Sequence, residues 1–129
     1  MSIHVNIVTP EALTFSGPAE SIYVPGWDGE FGAMPEHDRH VALLHAGRLL
    51  LQTSSGETAY VVGRGFAEVG PDQVTVLTDS CELATEVDKE QAAKDLAEAQ
   101  ASLNDINIWD PSSRPVIAQL ELAQARVDA

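Results

Sequence analysis

Several polar side chains near the middle of the chain are of the types that bind metals. His37 and His40 form an H-x-x-H pattern, with Glu36, Asp38 and His45 close by, and zinc accepts all of these as ligands. Structural zinc sites usually gather their ligands from paired motifs, whereas a single pattern of this kind more often belongs to a polar loop. We therefore expect no metal at these residues. A zinc-dependent enzyme that uses His37 is kept as a third functional hypothesis, after the two that are given below.

Three other candidates for chemistry lack the partners that a reaction needs. Asp28 and Glu30 stand two residues apart in a predicted turn, which does not provide the two opposed environments that an acid-base pair needs. Gly63-Arg64-Gly65 opens no helix and is followed by no Gly-Lys-Ser or Gly-Lys-Thr, so it indicates a bend rather than a phosphate loop. Ser54 and Ser55 have no G-x-S-x-G context. The sequence predicts no catalytic residue and no cofactor.

Composition excludes several classes of protein. Twenty acidic residues against seven Lys and Arg give a net charge of −13, which repels phosphate backbones and makes nucleic acid a poor partner. Apolar runs such as Val41 to Leu44 are much shorter than the ~20 residues of a membrane helix, so no direct membrane insertion is expected. The N-terminus has no secretory pattern, which favours a cytoplasmic address. Cys81 is the only cysteine and is interpreted as a strand-end residue.

The first two thirds of the chain have an all-β pattern. Ile3, Val5 and Ile7 alternate with polar residues, as in a half-buried strand. A second strand is predicted from Ser21 to Val24, closed by Pro25-Gly26. Further strands are predicted at 48–53, 57–62, 66–69 and 73–78, joined through Gly-containing turns. Short, regular strands of this kind favour a β-sandwich.

Near Glu86 the apolar period changes from two to about 3.6, which indicates helices. Asp88 begins a predicted helix that runs to about Asn104, with Gln91 at the capping-box position. A second helix is predicted to begin at Ser112-Ser113, before Pro115. The apolar stripes of the two predicted helices are Ala92, Leu96, Ala99 and Leu103, and Val116, Leu120, Ala123 and Val127. We divide the chain into a sandwich domain, 1–85, and a helical hairpin, 86–129.

The predicted hairpin has few large apolar side chains, each stabilising by about 1.5–3 kcal/mol if fully buried. Ordering its backbone opposes this by roughly 1–2 kcal/mol per residue, so the pair is marginal alone and needs a surface to pack against. Permanent docking on the sandwich and alternate docking on a partner are both open at this stage.

The stretch VPGWDGEFGAMPEH, from Val24 to His37, resembles the signature of the epsilon subunit of bacterial F-type ATP synthases, called delta in mitochondria. The resemblance extends to IVTPEALTFSG (residues 7–17), to YVVGRGFAEVGPDQVTVLTD (residues 60–79) and to AQARV (residues 123–127). These pieces keep the order and spacing of the family, so the resemblance covers essentially the whole chain.

The resemblance implies a sandwich of about ten strands followed by two antiparallel helices. It implies a non-catalytic rotor subunit that binds the gamma shaft and the c-ring, with the helices as a regulatory arm that can reach the catalytic head. It also implies a peripheral position on the cytoplasmic face of the bacterial inner membrane. The residues that match the ring-facing edge of the family are Gly29, Glu30, Phe31, Glu36 and His37.

Three departures from the family pattern affect what the resemblance implies. Arg39 stands where many relatives have a proline, and Arg64 interrupts a usual Gly-Gly. Nucleotide-binding members carry an I/L-D-x-x-R-A motif, of which this chain keeps Asp88 but has Gln91 in place of arginine. Glutamine cannot grip phosphate as a guanidinium does, so ATP binding through Asp88 and Gln91 is expected to be weak. An ATP-sensing regulatory sandwich is the alternative function.

Overall fold

Ten short strands and two helices make up the described part of the chain. The computed structural model describes residues 3–26, 29–33, 40–107 and 109–129, with 29–33 and residue 40 described by their backbone alone. The strands are β1 (Ile3–Val8), β2 (Leu13–Ala19), β3 (Ser21–Gly26), β4 (Gly29–Ala33), β5 (His40–Leu44), β6 (Gly47–Thr53), β7 (Gly56–Val62), β8 (Gly65–Val69), β9 (Gln73–Thr78) and β10 (Cys81–Leu83). A short 3-10 turn (Ala84–Glu86) precedes α1 (Lys89–Asn104) and α2 (Ser113–Asp128). The predicted fold class is confirmed.

The strands form one sheet that folds back on itself. Its order is β10-β7-β6-β3-β5-β8-β9-β1-β2, and β4 pairs with β3 beside this path. Among the described strands every neighbouring pair is antiparallel except β1 and β9, which run parallel. The backbone N–H of Glu20, just after β2, donates to the carbonyl of Gln52 in β6 over 2.7 Å. This bond links the end of β2, the last strand in the order, to β6, the third strand in the order.

Alternate residues of the strands fill the space between the two layers. Ile3, Val5 and Ile7 are at most 1% exposed, as the period of two in β1 predicts. The cluster comprises fifteen described residues: Ile3, Val5, Ile7, Ala19, Ile22, Val24, Leu44, Leu49, Leu51, Tyr60, Val62, Ala67, Val69, Val74 and Val76. All of them belong to strands, so the core of the sandwich is complete without the helices.

The prediction that β3 ends at Val24 is wrong. Pro25 and Gly26 continue the strand and pair with Glu30 and Gly29 of β4. Proline removes an N–H but keeps its carbonyl, and here the carbonyl of Pro25 accepts a hydrogen bond from the backbone N–H of His45 over 3.0 Å. A proline can therefore occupy a strand where only its acceptor is needed.

The segment Gly63-Arg64 is a bend between β7 and β8, as the sequence indicates. A Cβ on Gly63 would lie 1.9 Å from a carboxylate oxygen of Asp79, and one on Gly65 would lie 1.9 Å from the carbonyl oxygen of Leu77. The backbone contact excludes a side chain at Gly65, whereas at Gly63 the side chain of the exposed Asp79 would have to move. The bend therefore fixes the position of Arg64 between them.

The two helices form an antiparallel hairpin. The side chain of Asp88 accepts the backbone N–H of Gln91 over 3.1 Å and caps α1, as predicted. The side-chain N–H of Gln91 donates to Asp95 one turn further on. At the other end of the pair, the Lys89 ammonium donates to the carbonyl of Val127, which lies in the last turn of α2. The start of α1 therefore lies beside the end of α2.

The hairpin packs on the outer face of the sheet through a small apolar cluster. Ala125 of α2 is buried with Ala46 and Val61, and partly buried residues around them are Ala84, Val87, Leu122 and Ala129. The structure has the hairpin docked on the sandwich, a position that belongs to both arrangements left open by the sequence.

We expect residues 1–85 to fold without the hairpin, because the fifteen-residue core contains no helical residue. A truncated chain should keep a single cooperative thermal transition, followed by circular dichroism in the β region. The full-length chain is the control. A broad, non-cooperative transition in the truncated chain would show that the hairpin is an integral layer of the domain.

Candidate interaction surface

The residues predicted to face a partner ring are divided between described and undescribed parts of the chain. The prediction that Glu30 stands in a turn is wrong, because Gly29, Glu30 and Phe31 lie in β4, whose backbone pairs with the end of β3. Glu36 and His37 lie outside the described residues, as do Asp28, Asp38 and Arg39. The structure therefore assigns the first three to an edge hairpin, and their roles stay predictions.

The described residues do not test the zinc hypothesis, because Glu36, His37 and Asp38 lie outside them and the side chain of His40 is not described. The described residues include no group of three or more His, Cys, Asp or Glu side chains that could hold a metal ion. His45 Nδ1 lies 2.7 Å from the carbonyl oxygen of Ala46, which can only accept, so this nitrogen carries the proton. Burial raises the pKa of the Cys81 thiol to about 11, with a smaller contribution from Glu82, so the thiol is protonated and unreactive at neutral pH.

Asp88 and Gln91 are both engaged within α1. Asp88 holds the N-cap, and the Gln91 amide donates to a carboxylate oxygen of Asp95 over 2.9 Å. A phosphate group at this position would have to displace the second bond and would meet the Asp95 carboxylate. Both features disfavour a nucleotide at the start of α1.

A row of apolar side chains crosses the outer face of the sandwich. The backbone register aligns one residue from each of five adjacent strands, in the order Leu43, Phe66, Leu77, Val8 and Leu13. Leu43, Phe66, Leu77 and Val8 each stand next to a buried core residue in the chain, so these four point out; the buried neighbours are Leu44, Ala67, Val76 and Ile7. The pairing of β1 with β2 shifts register between Ile7 and Val8, which places the exposed Leu13 opposite Val8. Leu43 is 65% exposed, Leu13 58% and Phe66 36%. We call these five residues the apolar row.

A mostly polar row runs beside the apolar row. It lies two residues away along each strand, except in β2, where the register shift makes the step three residues. Its aligned polar members are Glu68, Thr75, Asn6 and Ser16, and the apolar Val41, 64% exposed, completes the line on β5. Ser16 Oγ donates to Asn6 Oδ1 over 2.8 Å and lies 3.2 Å from Nε2 of His4. The outer face thus has an apolar strip with a hydrogen-bonding border, which is the general anatomy of a protein interface.

Sequence reasoning missed the apolar row. Each member is an ordinary strand residue, and only the pairing of five strands places them side by side. The sequence does contain one signal, which is an apolar residue at the outward positions of a strand. In β5, Val41 and Leu43 are two residues apart and lie on the face opposite the buried Leu44.

Two arginines connect the hairpin to the sandwich. Arg64 donates from Nε and Nη2 to the two carboxylate oxygens of Glu121 over 3.0 and 2.7 Å, and these hydrogen bonds raise the pKa of the Arg64 guanidinium. Arg126 donates from Nε to Glu82 over 2.6 Å, and its Nη1 lies 3.5 Å from Asp95.

Among the described helices, neither has the length and apolarity to cross a membrane.

Comparison with known proteins agrees with this architecture. Residues 2–84 match the family model described as ATP synthase, Delta/Epsilon chain, beta-sandwich domain. A solved structure of the Euglena gracilis mitochondrial ATP synthase, which includes its c-ring, contains a chain that superposes with a TM-score of 0.81 at 25% identity. The superposition covers 96% of this chain and 78% of the other. A chain from the central stalk and c-ring of the Tetrahymena thermophila enzyme has the same fold, with a TM-score of 0.69 at 11% identity, covering 98% and 97%.

Curated relatives identify the protein family of this chain more closely. The ATP synthase epsilon chain of Myxococcus xanthus is 40% identical over 123 residues, covering 95% of this chain and 85% of the relative. That of a Synechococcus species is 34% identical over 131 residues, covering 100% and 96%. The chain therefore belongs to the ATP synthase epsilon-chain family. It is a non-catalytic subunit of the central stalk, and the catalytic sites of the enzyme are in other subunits.

Proposed function

We propose that this chain is the rotor part that joins the c-ring to the gamma shaft, on the cytoplasmic face of a bacterial inner membrane. The observation that carries the proposal is the apolar row. Monomeric proteins rarely expose a contiguous apolar strip, and one bordered by polar groups marks a surface that another protein covers. We assign the gamma subunit to this surface.

The apolar row provides the apolar surface that a stable protein–protein interface requires. A stalk subunit must stay attached while torque passes through it, so its interface needs apolar burial more than exposed ion pairs, which contribute about 1 kcal/mol or less. Leu43 and Phe66 are directly opposite each other on β5 and β8, and Leu77 continues the strip on β9. Shape and burial at these residues would supply most of the docking energy.

We assign the c-ring to the hairpin of β3 and β4. Among the described strands β4 pairs with β3 alone, so its outer edge faces away from the sheet. Glu30 is the acidic residue of this strand and is the candidate to meet a basic residue of a ring loop; Glu36 and His37 would extend the same contact. Gly26 of β3 pairs with Leu44 of β5, the neighbour of Leu43. The two proposed contacts are thus joined through backbone hydrogen bonds of one sheet.

The alternative function, an ATP-sensing module, is less well supported. Both residues of the incomplete motif make contacts within α1, and the hairpin from Glu86 onward carries nine acidic residues against four basic ones, a net charge of −5. That charge also opposes the approach of the hairpin to acidic segments of the catalytic head. We propose that the regulatory arm inhibits ATP hydrolysis weakly in this protein.

Changing Leu43 and Leu13 to glutamine, at the two ends of the apolar row, is expected to weaken binding to the isolated gamma subunit by at least about tenfold. The reason is loss of apolar burial at exposed positions, so the free energy of unfolding should change by about 0.5 kcal/mol or less per site. Calorimetric titration and thermal unfolding measure the two quantities. Trp109→Gln is the matched control. Trp109 is 89% exposed, but it belongs to the segment that joins α1 to α2 and lies outside the apolar row. Equal gamma affinity in both variants would contradict the assignment.

Glu30→Lys is expected to reduce proton-driven ATP synthesis in membranes while leaving the folding of the subunit intact, because an exposed charge contributes little stability. The matched control is Glu57→Lys. Glu57 is exposed in the β6–β7 hairpin, and its partner Gln52 pairs with Ser21, at the end of β3 opposite Gly26. Unchanged synthesis by the Glu30 variant would remove this residue from the ring contact.

Millimolar ATP is expected to leave the thermal unfolding temperature of the purified chain unchanged, since a ligand stabilises only in proportion to its binding to the native state. Restoring the motif with Gln91→Arg provides a positive comparison. Deleting residues 86–129 should likewise change ATP hydrolysis by the assembled enzyme less than severalfold. A clear thermal shift with ATP in the unmodified chain would favour the sensing alternative.

A further inference from the structure

The contact between hairpin and sandwich contains one arginine from each side. Arg64 belongs to the sandwich, at the bend between β7 and β8, and grips Glu121 of α2 with both ends of its guanidinium fork, over 3.0 and 2.7 Å. Two parallel bonds fix the direction of the carboxylate as well as its distance. The side chains are 37% and 24% exposed, so the pair is only partly screened by water.

Arg126 makes the opposite connection. It belongs to α2 and donates to Glu82 of β10 over 2.6 Å, while its Nη1 lies 3.5 Å from Asp95 of α1. One side chain therefore joins the last strand of the sandwich to both helices. It is 21% exposed, less than any other member of the described salt bridges.

The remaining forces at this contact are weak or unfavourable. Its buried members are Ala46, Val61 and Ala125, of which two are alanines with little surface to bury. Residues 1–85 carry eleven acidic and three basic residues, a net charge of −8, and the hairpin carries −5. Two bodies of like charge repel each other, so the docked position requires local attraction at specific points.

We propose that Arg64 and Arg126 form a reciprocal clamp that holds the hairpin on the sandwich, and that breaking it frees both helices together without unfolding the strands. Each arginine neutralises a carboxylate of the other body at the contact. The clamp, rather than apolar burial, sets the fraction of molecules in which the hairpin is docked. Opening would uncover the face of α2 that carries Leu122 and Ala125.

Hydrogen exchange in the isolated full-length chain, followed by mass spectrometry, tests the clamp. Arg64→Glu is expected to raise exchange of the amides in α1 and α2 by about fivefold or more, since a well-oriented ion pair of this exposure is replaced by repulsion. Exchange in β8 and β9 should not change. Glu121→Arg should have the same effect, and combining the two changes should restore most of the protection by rebuilding the pair in reverse. Arg126→Gln should loosen both helices in the same way.

Arg48→Glu is the matched control. Arg48 is exposed on β6, beside α2, and in the described residues no salt bridge involves it, yet the substitution alters the net charge equally. An effect of Arg48→Glu as large as that of Arg64→Glu would overturn the clamp in favour of general charge repulsion. Helix exchange that stays at the wild-type rate, or a reversed pair without recovery, would overturn it too. Equal loosening of helices and strands would mean that Arg64 stabilises the whole fold instead.

Discussion

The parallel pairing of β1 with β9 is the contact on which the rest of the sandwich depends. It is the one parallel pair among the described strands, and it places Val5 beside Val74 and Ile7 beside Val76 in the core. Because side chains alternate, a slip of β1 by one residue would turn Val5 and Ile7 outward and bring Val8 inside. The same register therefore builds the core and sets the direction of the apolar row.

One continuous sheet carries both of the proposed contact surfaces. The apolar row crosses β5, β8, β9, β1 and β2, and the β4 edge is attached to β3, which pairs with β5 through Gly26 and Leu44. Backbone hydrogen bonds connect every step of this route. A filled core between the layers resists shear, since protein interiors are packed as densely as organic crystals. Such a body transmits force between the proposed partners without a hinge.

Local signals in the sequence were enough to predict part of the fold. The alternation in β1, the turns between β6 and β7 and between β8 and β9, and the Asp88 cap of α1 involve residues close in the chain, and the structure confirms them. The end of β3 was mispredicted, because the bond that keeps Pro25 in the strand comes from the distant His45. The short strand β10 lacks its own pattern and exists because it pairs with β7. The apolar row required the register of five strands, which no single segment encodes.

Strand β7 departs from alternation at its end, where Tyr60, Val61 and Val62 are all buried. Tyr60 and Val62 belong to the core between the layers, whereas Val61 points the other way and is covered by Ala125 of α2. A strand covered on both faces reads as a continuous apolar run. Val61 is thus a mark of the docked hairpin within the sandwich sequence itself. A hairpin that moved away from the sandwich would leave the Val61 side chain exposed to water.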